Sequence, residues 1–401
     1  MARGGVCAAK GFRAAGVAAG VKYKGRNDVA LIVADEPCAA AAMFTTNKVA
    51  AAPVVYDRAV VRGGRAQAIL ANSGCANACT GEQGMRDARL SALVTAGELG
   101  IDPRHVLVAS TGVIGRPLPM DRLLAGMRSA KAALGRTAAH GLAAEKAVMT
   151  TDTKPKEACA VVTVGGRKVT VGGMSKGSGM IEPNMATMLG FLTTDAAISP
   201  AMLKRALFRA VALSFNRLVV DGDESTNDSV FVMASGKAGN AAIVRTGADF
   251  DAFCSALEAV CVSLARQMAA DGEGATKFVT VTVRGAKTER DAARAARAVA
   301  KSPLAKTSWF GRDPNWGRVL AAVGYSGAAV DESKTEVFYG REWAFRRGRV
   351  ADEAQLKRLA AVLRKDAFEV VVDLHLGTAS SSVYTCDFSL DYVHINADYT
   401  T

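Results

Sequence analysis

Apolar positions along this chain follow two rhythms. Short runs such as "VALIVAD" (29–35), "AAAAMFTTN" (39–47), "QAILANSG" (67–74) and "HVLVAS" (105–110) are too brief for helices, end at turn residues and predict strands, the first two as a strand pair. "DTKPKEACAVVTVGGRKVTVGGMS" (152–175) predicts a hairpin around Gly165 and Gly166. In "EQGMRDARLSALVTAGELG" (82–100) the spacing turns helical and stops at a glycine; 200–215 and 249–270 predict further helices. Beyond these, "KFVTVTVRGA" predicts a strand, "KTERDAARAARAVAKSPL" one helix, "DPNWGRVLAAVGYSG" a helix and turn, and the tail from Phe368 two strands. Alternating strands and helices make this a mixed α/β chain, with helices on layered sheets.

At 401 residues, half of them hydrophobic, the chain can bury a large core, and no apolar run approaches the roughly 20 residues that span a bilayer. The net charge of +12 is spread without a basic block, which disfavours a nucleic-acid binder and leaves a field that attracts anionic substrates. Basic residues at 3, 10, 13, 22 and 24 with no early acid raise a transit peptide, but six glycines and a direct lead into a strand argue against one. Eight scattered cysteines, with only Cys75 and Cys79 close together, predict buried free thiols rather than a zinc site. Four histidines share no motif, so nothing marks a Ser-His-Asp triad.

Chemistry gathers in "GGMSKGSGMIEPNMATMLGFLTTDA" (172–196). Lys176 precedes its glycines, and Pro183 follows too soon for the helix that a phosphate loop opens. "DGDESTND" (221–228) has a metal loop's composition but neither the sixth-position glycine nor the twelfth-position glutamate of an EF-hand. Thr187 stands between Ala186 and Met188 in an apolar run. It reads either as a threonine in a buried strand or as a nucleophile freed by chain cleavage. In the second case Oγ attacks the Ala186 carbonyl, water opens the ester, and the new α-amino group, with an unperturbed pKa of about 7.7–8.0, becomes the base.

"KGSGMIEPNMATMLGFLTTDA" resembles the self-processing segment of the ornithine acetyltransferase family, the bifunctional glutamate N-acetyltransferases and amino-acid acetyltransferases of arginine biosynthesis. "GFRAAGVAAGVKYKGRNDVALI", "AAMFTTN", "ILANSGCANACTG", "STGVIGRPLP", "MTTDT", "DGDESTNDS", "DPNWGRVLAAVGYSG" and "YVHINADYTT" are similar to family segments in the same order. The resemblance implies a layered α-β-β-α, self-processing N-terminal-nucleophile fold with mixed sheets. It implies a cut between Ala186 and Thr187, giving an α chain of 1–186 and a β chain of 187–401 that assemble as α2β2. Thr187 would carry acetyl from N-acetylornithine to glutamate. Thr111 and Gly112 would form the oxyanion hole; Thr150, Lys176, Thr187, Glu273, Asn396 and Thr401 would contact substrate. Lys176 would bind a carboxylate or depress the pKa of the Thr187 amine, and Glu273 would pair with the ornithine ammonium; Thr150 and Thr151 remain alternatives.

The family pattern implies a cytoplasmic enzyme with no metal or organic cofactor, no nucleic-acid partner and no membrane partner, and leaves acetyl-CoA open as a second donor. An N-terminal-nucleophile aminopeptidase or amidohydrolase on a related fold is the alternative enzyme; an amino-acid sensor that kept only the pocket is the non-enzymatic one.

Overall fold

A computed structural model describes residues 4–182 and 188–398. They form two compact units, one of residues up to 216 with 223–264, the other of 217–222 with residues from 265 on. Each contains one mixed sheet. The fold is mixed α/β with two mixed sheets.

In chain order the first unit comprises β1 (Phe12–Val17), β2 (Val29–Phe44), α1 (Ala52–Val60), β3 (Arg65–Asn72), α2 (Gly81–Leu99), β4 (Val106–Ser110), α3 (Met120–Ala132) and α4 (Ala138–Val148). It continues with β5 (Glu157–Val164), β6 (Arg167–Lys176), β7 (Leu189–Thr194), α5 (Pro200–Leu213), β8 (Ser229–Ala234) and the start of α6 (Ala248–Ala270). The described strands make an eight-stranded sheet in the order β4-β3-β2-β8-β7-β6-β5, with β1 also on β2. Only β3–β4 and β7–β8 run parallel.

The run at 29–34 is uninterrupted because both faces are covered. Ala30, Ile32 and Ala34 join a core with Ala144, Ala147 and Val148 of α4. Leu31 and Val33 join another with Ala88, Ala92 and Ala96 of α2 and Leu123, Met127 and Ala130 of α3. The expected strand pair across 29–47 is instead one 16-residue strand. It crosses Pro37, which has no N–H for the ladder, through a register shift between Val33 and Cys38. Its first half pairs with β1 and β3 and its last six residues with β8.

The second unit contains β9 (Phe278–Ala286), α7 (Glu289–Lys301), α8 (Pro303–Phe310), α9 (Trp316–Gly324), β10 (Glu336–Tyr339), β11 (Glu342–Arg346) and β12 (Arg349–Val350). Then come α10 (Glu353–Leu363), β13 (Ala367–Asp373), β14 (Ala379–Cys386) and α11 (Leu390–Asp398). Its sheet order is β12-β11-β10-β13-β9-β14. Val279, Val281 and Val283 point to one face, where Ala292, Ala295, Ala296, Val299 and Ala300 of α7 pack at helical spacing.

Two expectations fail here. The segment 287–304 is not one helix: Pro303 cannot continue it, so Ser302 ends α7 and caps α8, accepting the Ala305 N–H at 3.2 Å. The tail holds two strands, but its last part is α11, not strand. The Ser389 hydroxyl accepts the Asp391 N–H at 3.1 Å and Asp391 lies in the first turn, which outweighs the strand propensity of Tyr392, Val393 and Ile395.

The eight cysteines are free, and only Cys7 and Cys79 are not buried. Among the described residues no helix is long and apolar enough to cross a membrane.

Candidate active site

β3 and β4 end side by side, Asn72 opposite Ser110. The Ser110 hydroxyl donates to Asn72 Oδ1 at 2.7 Å, and Asn72 Nδ2 donates to the Cys75 carbonyl at 2.9 Å. Asn227 reaches the same place: its Nδ2 donates to the carbonyls of Ala76, 2.6 Å, and Ser110, 2.8 Å. These amides tie the segment after β3 to the end of β4, where the turn with Thr111 and Gly112 begins. Gly112 has φ +126°, and an added Cβ would lie 2.4 Å from the Gly74 carbonyl carbon, so this turn accepts only glycine.

Lys176, the last residue of β6, is buried, and its Nζ donates to Thr111 Oγ1 at 3.2 Å. Behind it lies Asp152. One carboxylate oxygen accepts Lys156 Nζ and the Gly177 N–H, both at 2.7 Å; the other accepts the Thr150 N–H at 3.0 Å. Burial would raise the Asp152 pKa, but the charges of Lys176 and Lys156, with hydrogen bonds from Lys156 and Thr150, hold it down at about 2. Lys156 and Lys176 thus both lie beside Asp152, and an ammonium at this place suits a carboxylate or a developing oxyanion. Thr151 Oγ1 lies 2.7 Å from Ser178 Oγ, whereas the Thr150 hydroxyl has no partner among the described residues.

A second group lies within the other unit. Glu273 is buried and accepts from Asn396 Nδ2 at 2.8 Å. Its loop is tied to the start of α11. Asp387 accepts the backbone N–H groups of Thr276, 2.8 Å, and Lys277, 2.9 Å, and Ser389 donates to the Gly274 carbonyl at 2.5 Å. Gly274, at φ +66°, would place a Cβ 2.4 Å from the Tyr392 nitrogen.

The structure therefore brings Thr111, Gly112, Thr150 and Lys176 to one cluster and Glu273 with Asn396 to another. Ala186, Thr187 and Thr401 lie outside the described residues. The phosphate-loop reading finds no support, since 177–182 leave a strand without opening a helix. Among the described residues no group of side chains could hold a metal ion. The acidic stretch with a metal loop's composition instead supplies Asn227 to the carbonyls of Ala76, after β3, and Ser110, at the end of β4. Sequence reasoning missed Asp152, Lys156, Asn72, Asn227 and Asp387. Asp152 stands inside "MTTDT", and an acid beside two lysines within 25 residues is the available signal.

The profile of the ArgJ family matches residues 13–401. The chain belongs to the ArgJ family. It is 53% identical to the arginine biosynthesis bifunctional protein ArgJ of Symbiobacterium thermophilum, over 99% of each chain. The same-named protein of Geobacter sulfurreducens is 51% identical over 98% of this chain and 99% of its own. A solved ArgJ structure from Bacillus halodurans, 40% identical, superposes with a TM-score of 0.51 over 53% of this chain and all of that one. This ArgJ-family chain is an acetyltransferase of arginine biosynthesis.

Proposed function

We propose that this acetyltransferase moves acetyl from N-acetylornithine to glutamate, releasing ornithine and then N-acetylglutamate, through an acetyl ester on Thr187. The precursor cuts its own Ala186–Thr187 bond to give an α chain of 1–186 and a β chain of 187–401, and two of each form α2β2. The ladder between β6 and β7, from Val171–Thr194 to Lys176–Leu189, supports this reading, because a chain cut between those strands stays joined by their hydrogen bonds. The freed α-amino group of Thr187 is the base.

The observation that carries the proposal is the contact from Lys176 Nζ to Thr111 Oγ1. An ammonium can only donate, so Thr111 Oγ1 is the acceptor and its own proton is left to point elsewhere. Together with the Gly112 N–H it is suited to stabilise the oxyanion of the tetrahedral intermediate. The unpartnered hydroxyl favours Thr150 over Thr151 as a substrate contact. Glu273 pairs with the ornithine ammonium, and Asn396 and Thr401 contribute further contacts. The cycle needs no metal or organic cofactor and runs in the cytoplasm; acetyl-CoA is the candidate second donor.

Rapid-quench mass spectrometry with N-acetylornithine and no glutamate tests this. It should find a hydroxylamine-labile acetyl group on the peptide beginning "TMLGF", and initial-rate plots with both substrates should be parallel. No acetyl there, with intersecting plots, means direct transfer in a ternary complex. The same assay with acetyl-CoA in place of N-acetylornithine decides the second donor. Thr187→Ala should remain one chain; a chain still cut at that bond rules out self-processing.

A further inference from the structure

The acidic stretch 221–228 ends in a residue that the reaction above leaves without a role. Asp228 is buried at the entry to β8, 1% exposed. Its Oδ1 accepts the Met188 N–H at 2.5 Å. The next residue completes the grip, since the Ser229 N–H donates to the Met188 carbonyl at 3.0 Å. Both backbone groups of Met188 are therefore held by consecutive residues. Asp228 is itself anchored: its carbonyl accepts the Thr45 N–H at 2.9 Å, and its neighbour Asn227 binds the turn that carries Thr111. Asp228 Oδ2 is buried with no hydrogen-bond partner among the described residues.

Met188 immediately precedes β7 and follows Thr187 in the sequence. We infer that Asp228 is a positioning residue for acetyl transfer, a buried neutral carboxyl that holds the head of β7 in register with the oxyanion turn. The inference rests on the reading that the reaction runs at Thr187. Neutrality follows from geometry first: an ionised carboxylate with one oxygen buried and unpartnered is costly. Burial accordingly pushes the Asp228 pKa well above the usual carboxylate range, against the lowering pull of the Met188 N–H and of Lys176.

The test compares Asp228→Asn, which keeps an acceptor at Oδ1 and mimics a neutral acid, with Asp228→Leu, which has no acceptor. Three measurements are made on the full chain: acetyl-transfer kinetics, giving kcat and KM, the rate at which the chain beginning at Thr187 appears, and amide hydrogen exchange at Met188. Asp228→Leu should lower kcat about tenfold or more with KM nearly unchanged, slow processing and speed Met188 exchange. Asp228→Asn should restore all three to within about threefold of wild type. A Leu variant as active as wild type overturns the inference, and so does an Asn variant as poor as the Leu variant, since a charge would then be required. If the Leu variant does not fold, the Asn variant decides alone: slow Met188 exchange with near-normal kcat supports the role, and a thirtyfold loss of kcat overturns it. Absence of acetyl-Thr187 in wild type sinks the reading on which the inference rests, a separate result from any of these.

Discussion

The two groups of candidate residues are built differently. Thr111, Gly112 and Lys176 sit at strand ends of an eight-stranded sheet, with Asp152 and Lys156 buried behind them. Glu273 and Asn396 sit on a loop and on the last described helix, joined by one hydrogen bond and held from behind by Asp387 and Ser389. α11 has no buried residue of its own. A group framed by a sheet and buried charge can hold donors still while a barrier is crossed. A group on a loop and a terminal helix is better suited to gripping substrate than to shaping a transition state. The first should govern kcat and folding, the second KM.

The largest effect should come from removing the charge that the first group is built around. Asp152→Ala leaves Lys156 and Lys176 buried without their carboxylate, and should cost about 3–5 kcal/mol in urea unfolding. A loss below about 1 kcal/mol would mean that water compensates those lysines. The same residue sets an acid limb. Its folded pKa of about 2 lies below the unfolded value of about 3.9, so its contribution is complete above that range and is lost as pH falls through about 2. Asp152→Asn should flatten stability against pH in that window; an unchanged slope assigns the limb to other carboxylates.

Next in size is Thr111→Ala. Loss of an oxyanion donor should lower kcat by about a hundred- to a thousandfold, with KM and melting temperature little changed. A rate within threefold of wild type would remove Thr111 from the chemistry and weaken the contrast between the groups.

Glu273→Gln and Asn396→Ala should raise KM for N-acetylornithine about tenfold and leave kcat within about threefold. Deleting Asn396–Thr401 should stop transfer but leave cleavage at Thr187 intact. If kcat in either point variant falls as steeply as in Thr111→Ala, both groups act in the transition state and the division collapses.

Ser389→Ala should be the mildest change. It removes the hydrogen bond to the Gly274 carbonyl and the cap on the Asp391 N–H, each worth about 0.5–1.5 kcal/mol. Faster amide exchange in α11, without a shift in global unfolding, is the expected signature. No change in exchange would show that Gly274 and Asp387 hold the loop unaided.

The pieces of the site were legible where a motif kept them together. Thr111 and Gly112 stood in "STGVIG" and Lys176 in "KGSG". Their partners were not legible. Asp152 reaches Gly177 across 25 positions, Asn227 reaches Ala76 across 151, and Asn396 reaches Glu273 across 123. No local rhythm reports such pairings, because each is chosen by which strand ends become neighbours. The misread tail shows the same limit on a short scale: aromatic and β-branched residues suggest a strand, and one serine cap turns them into a helix.

By itself, the sequence determined the uninterrupted apolar run that buries both faces of β2, the glycine stop of α2, the hairpin at Gly165, and the motif-borne residues of each group. Those depend on backbone geometry and side-chain period, which act over a few residues. Tertiary structure alone decided that 29–44 is a single strand, since its two halves are stabilised by different partners on either side of Pro37. It also decided the ionisation of two acids of one chemical type. Asp152, beside two ammoniums, is held at about 2, while Asp228, with one backbone N–H and an unpartnered oxygen, is pushed up. The charge of a buried carboxyl is set by what folding places within a few ångströms of it.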